Sequence, residues 1–133
     1  MFKRQSKFVT FEELPVFRQT HNLTLTIYKI TASFPKSEIY GLTSQIRRSA
    51  SSVAANIVEG LHRSSKKELI QFLYQAKASC AETIYHLILA KDLKYIKTVS
   101  YGELRKTADE IIKQLNGWIR SEKKRVKLLN IKH

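Results

Sequence analysis

The chain has 133 residues, 43% of them hydrophobic, and carries a net charge of +13 from 24 lysines and arginines against 11 acidic residues. That length and apolar content suffice for one packed domain and require no second. Four glycines and two prolines are too few for a turn-rich β fold, the single Cys80 excludes an internal disulfide or a multi-cysteine zinc site, and the basic excess points to polyanionic partners.

The segment 1–10 has charge but no apolar run of the kind a signal peptide needs, and no later run approaches the length of a membrane span. It is expected to be an amino-terminal extension of a soluble, cytoplasmic protein with no membrane partner.

From Leu14 onward, Val16, Leu23, Ile27, Ile30 and Phe34 recur at helical spacing, which predicts a first helix over about 13–33. Pro35 stops it, because proline disfavours helical geometry in the residue before it and lacks a backbone donor. A second helix is predicted over about 38–62, with Glu38 at its positive end and Leu42, Ile46, Ala50, Val53 and Ile57 inward. Gly60 stands where a helix end favours a residue free to turn left-handed.

A polar run from His62 to Lys67 then connects to a third helix over about 65–93, where Ser65 and Glu68 have capping-box spacing. Its inward row reads Leu69, Phe72, Leu73, Ala76, Cys80, Thr83, Leu87 and Ala90. Ser100 and Glu103 repeat the capping spacing before a fourth helix over about 100–120, with Leu104, Ala108, Ile111, Leu115 and Trp118 at alternating steps of four and three. Residues 121–133 form a basic carboxyl-terminal extension, a frayed continuation or an arm. Four such rows on short linkers make an all-α, antiparallel up-and-down four-helix bundle over 11–120.

The window SASSVAANIV, Ser49 to Val58, is uncharged and rich in small residues in mid-helix. A surface helix normally carries charge on its outer side, so this window predicts burial on two faces and a subunit contact through Ser51, Ala54, Ala55 and Val58. The alternative is a central helix within one bundle.

Chemistry is sparse. Glu59 and His62 match the Glu-x-x-His of di-metal bundles, but Glu82 and His86 are spaced one residue too far to supply a second copy. Gly-rich phosphate loops and hydrolase signatures do not occur. No metal, cofactor or catalytic residue is therefore assigned.

Basic residues cluster at Arg63, Lys66 and Lys67, at Lys123, Lys124, Arg125 and Lys127, and as the pair Arg47 and Arg48. The tyrosines and phenylalanines fall mostly on the inward rows, so binding to RNA or DNA is expected through backbone charge and shape, without base reading. Three readings follow, in descending order: a non-enzymatic, oligomeric nucleic-acid-binding accessory factor; a scaffold for a nucleic-acid enzyme such as a reverse transcriptase; and, last, a di-metal carboxylate enzyme resting on Glu59 and His62 alone.

The stretches FEELPVFRQTHNL and FPKSEIYGLTSQIRRSASSVAANIVEGLHRSSKKELIQFLYQAKASCAET resemble the bacterial four-helix-bundle proteins encoded in intervening sequences of large-subunit ribosomal RNA genes. The resemblance implies a bundle assembling into a ring, a homopentamer, related to the accessory variability protein of diversity-generating retroelements, which binds nucleic acid and partners a reverse transcriptase. Gly41, Gln45, Arg48, Asn56, Glu59, Gly60 and Arg63 match the family pattern, which implies roles in fold and assembly for them.

Overall fold

The computed structural model describes residues 10–132, so the expected extension 1–10 lies outside the described residues apart from Thr10. Four helices follow in order: α1 Pro15–Thr31, α2 Leu42–Leu61, α3 Lys66–Asp92 and α4 Thr98–Lys132. Each packs against the next, and α1 closes on α4, giving an all-α four-helix bundle.

The inward rows meet in one core. Leu23, Ile27, Ile46, Val53, Ile57, Leu73, Leu87, Ile111 and Leu115 are all at most 3% exposed. Thr20, Thr31 and Thr83 join them because each hydroxyl returns a hydrogen bond to a carbonyl of the preceding turn, which removes the cost of burying it. The hydroxyls of Thr83 and Ser49 also meet across α2 and α3 at 2.8 Å. Ser79 donates to the Ser52 hydroxyl at 3.1 Å, and Asn56 Nδ2 reaches the same hydroxyl at 3.1 Å. Much of the uncharged window therefore serves the α2–α3 contact inside the bundle.

Helix ends differ from the sequence expectation in four places. The first helix opens late, after a short 3-10 turn at Phe11–Glu13, and begins at Pro15, where a missing backbone donor costs nothing. The second helix begins at Leu42: Lys36–Glu38 forms a separate 3-10 turn. From there the Glu38 carboxylate accepts from the Leu42 amide at 3.0 Å and from the Tyr95 hydroxyl at 2.9 Å. The acid meets the positive helix end as expected, but from outside the helix.

The third correction concerns Gly60, which does not take a left-handed conformation. It is buried within α2, and a Cβ there would stand 2.9 Å from Phe72 Cβ and 3.1 Å from Leu69 Cδ1. Glycine is required by the close approach of α3. The left-handed turn belongs to Lys94, φ 66°, where α3 ends with Tyr95 N–H donating to Ala90 O and Lys94 N–H to Lys91 O. Ser65 caps α3 as expected, accepting from the Glu68 amide at 3.2 Å.

Fourth, α4 starts at Thr98, ahead of the Ser100 cap expected for it, and continues to Lys132. Its inward row passes through Ile119, 4% exposed, and Glu122, 1% exposed, with Trp118 only partly buried beside them. At 1.5 Å per residue α4 is about 52 Å long against about 40 Å for α3. Its last turns, carrying the exposed Leu128, Leu129 and Ile131, extend the bundle at the end where α3 begins.

Candidate nucleic-acid interface

The two larger basic clusters, some 60 residues apart in sequence, come together at this end. Because α3 and α4 are antiparallel neighbours, the start of one meets the last third of the other. Lys66 Nζ lies 3.5 Å from Glu122 Oε1, and Arg125 reaches Glu122 Oε2 at 3.2 Å. The Trp118 indole N–H donates to that second oxygen at 3.2 Å. A carboxylate held away from water is stable only when compensated, and two cations and an indole compensate this one.

That arrangement divides the predicted binding residues. Lys66 and Arg125 spend charge on Glu122. Arg63 is spent on Glu59, 2.6 Å away, with its guanidinium 4.6 Å from the centre of the Phe72 ring. Lys67, Lys123, Lys124 and Lys127 are exposed and form no ion pair among the described residues. Two residues missed by the sequence reading, Tyr74 and Lys77, join them: Lys77 of α3 and Lys123 of α4 lie 6.0 and 5.1 Å from the Tyr74 ring centre. The 74–77 spacing puts both on one side of α3, a signal present in the sequence.

Arg47 and Arg48 do not belong to this surface. They lie toward the start of α2, about 20 Å along the helix from its other end. Arg47 donates through Nε to the Thr31 hydroxyl at 2.8 Å and through a terminal nitrogen to Tyr28 O at 3.3 Å, and stacks 4.7 Å from the Tyr28 ring centre. It ties α1 to α2.

A further correction concerns the aromatics. Tyr28, Tyr40, Tyr74 and Tyr85 are exposed, Tyr40 at 94%, so these four tyrosines lie outside the core.

Of the residues expected at a subunit contact, Ser51 and Ala55 are exposed and Ala54 and Val58 half-buried on the outer side of α2. Glu59 and His62 do not face a common point: Glu59 pairs with Arg63, while His62 Nδ1 lies 2.9 Å from Val58 O. Gln45 and Arg48 are exposed, and Arg48 contacts the Ser44 hydroxyl at 3.4 Å. Gly41 precedes α2 beside the Glu38 carboxylate, which a Cβ at that position would crowd at 2.7 Å. Among the described residues no helix is long and apolar enough to cross a membrane.

The family model described as 23S rRNA-intervening sequence protein matches residues 12–117. A crystal structure of a protein with unknown function from the S23 ribosomal protein family of Bacteroides thetaiotaomicron is similar at 28% identity and a TM-score of 0.71, over 78% of this chain and 97% of that one. No curated protein gives a significant match.

Proposed function

The chain belongs to the 23S rRNA-intervening sequence protein family, and from that premise we propose that it is a basic accessory protein that binds nucleic acid through backbone phosphates. The observation that carries this reading is the meeting of Lys77 of α3 and Lys123 of α4 at the Tyr74 ring, near the end of the bundle where Lys66 pairs with Glu122, with Lys67, Lys124 and Lys127 exposed on the same two helices. The net charge of +13 supports it. Lysines on two rigid helices present a fixed array of point charges, which suits the regular spacing of phosphates and carries no base code.

Self-association through the outer side of α2 is part of the proposal. A face of Ser51, Ala54, Ala55 and Val58 allows another helix to approach closely. A ring would multiply the basic ends and raise avidity without new contacts.

Titration of labelled single-stranded RNA, double-stranded RNA and double-stranded DNA at several salt concentrations tests the reading. Affinity falling steeply and linearly in log–log form is expected. Undetectable or salt-insensitive binding would overturn it.

A further inference from the structure

At the opposite end of the bundle, the start of α2 borders a cavity of about 290 Å³ lined by Tyr28, Ile39, Thr43, Ser44, Arg47 and Arg48. Two arginines and no carboxylate line it. The bonds from Arg47 to Thr31 and Tyr28 fix its guanidinium and leave other N–H groups unspent. Thr43 is 5% exposed yet borders the cavity. Glu38 takes the first amide of the helix, Leu42. The amides of Thr43 and Ser44 have no backbone acceptor there.

Beside this cavity the chain exposes aromatic surface. Tyr28 gives one ring face to Arg47. Tyr40, next in sequence to the lining Ile39, is 94% exposed. An exposed ring of this size offers a flat face on which another ring can stack.

We propose that this cavity holds a phosphate of a single-stranded nucleic acid and that a neighbouring base stacks on Tyr40. The inference rests on the nucleic-acid reading above but uses a separate surface. Arginines and hydroxyls recognise phosphate, and every base has a face that an aromatic ring can cover. A duplex keeps its bases stacked internally, so Tyr40 distinguishes single strands from duplexes. The lysine end does not.

The test is fluorescence anisotropy of the full chain with a labelled ten-nucleotide single strand and the matching duplex. The variants are Tyr40→Ala, Tyr40→Phe, Arg48→Ala and a triple replacement of Lys123, Lys124 and Lys127 by alanine. Tyr40→Ala should weaken single-strand binding by about tenfold, leave duplex binding unchanged and be rescued by Tyr40→Phe. Arg48→Ala should weaken the single strand and make inorganic phosphate a poorer competitor. Single-strand affinity unchanged in Tyr40→Ala would overturn the inference, as would an equal loss on the duplex. A change in sedimenting mass accompanying the loss would overturn it in favour of a subunit contact. If the lysine replacement alone abolishes binding, the inference fails while the proposed function stands. If only the Tyr40 and Arg48 variants lose affinity, the inference stands and the lysine end is not the binding surface.

Discussion

Lys66 Nζ and Glu122 Oε1 stand 3.5 Å apart, joining the first residue of α3 to a carboxylate on α4 that is 1% exposed. This pairing brings two basic clusters into one place and sets how much of their charge is available. Replacing Glu122 by alanine leaves Lys66, Arg125 and the Trp118 indole without their shared acceptor. It should cost about 2 kcal/mol of stability, since the partners can still reach water. Glu122→Gln keeps an acceptor for the indole and removes the charge. It should cost less and tighten nucleic-acid binding, because two cations are released. Urea unfolding and salt titration measure the two effects, and weaker binding in Glu122→Gln would contradict the assignment.

Gly60 and Gly102 form an internal comparison. Alanine at 60 places a Cβ 2.9 Å from Phe72 Cβ, and overpacking of this kind should destabilise the bundle by about 1–3 kcal/mol. Alanine at 102 meets nothing within 4 Å and should stabilise α4 by about 0.5–1 kcal/mol through helix propensity. Thermal unfolding of the two variants should move in opposite directions.

Cys80 is fully buried, its thiol 3.5 Å from Ala108 O. Burial, with the nearby Asp109 charge adding to it, pushes its pKa up from an ordinary 9.0 to about 12. The thiol should resist iodoacetamide in the folded protein and react at the rate of global opening. The folded pKa is the higher one, so this group's contribution is complete below pH 9.0 and is lost as pH rises toward about 12. Urea midpoints should fall through that window, and Cys80→Ala should lessen the fall.

Ala55 is exposed on the outer side of α2. If that side is the subunit contact, Ala55→Arg should reduce the sedimenting mass while leaving helical circular dichroism unchanged, since no core residue moves. An assembly of unchanged mass would place the contact elsewhere.

The bundle was legible because its inward rows are nearly pure: Leu42, Ile46, Ala50, Val53 and Ile57 keep helical spacing, and all are buried. The continuation of α4 was not, because Glu122 occupies an inward position and reads as a surface charge until Lys66 and Arg125 are placed beside it. Gly60 was misread for a related reason. A glycine needed for close helix contact and one needed for a left-handed turn look alike in sequence, and the turn fell instead to Lys94. The basic end was visible as two clusters, but their meeting depends on which helices are neighbours. The exposed tyrosines were hidden by the assumption that aromatic residues follow the core rows.

The most direct measurement compares the salt dependence of RNA binding for the wild-type chain with that of the triple replacement of Lys123, Lys124 and Lys127 by alanine. Each phosphate contact contributes about 0.7–0.9 to the log–log slope. If the meeting of α3 and α4 forms the binding surface, the variant should lose affinity and its slope should fall by about 2–3, with unfolding unchanged. A variant that binds with the wild-type affinity and slope would contradict that claim.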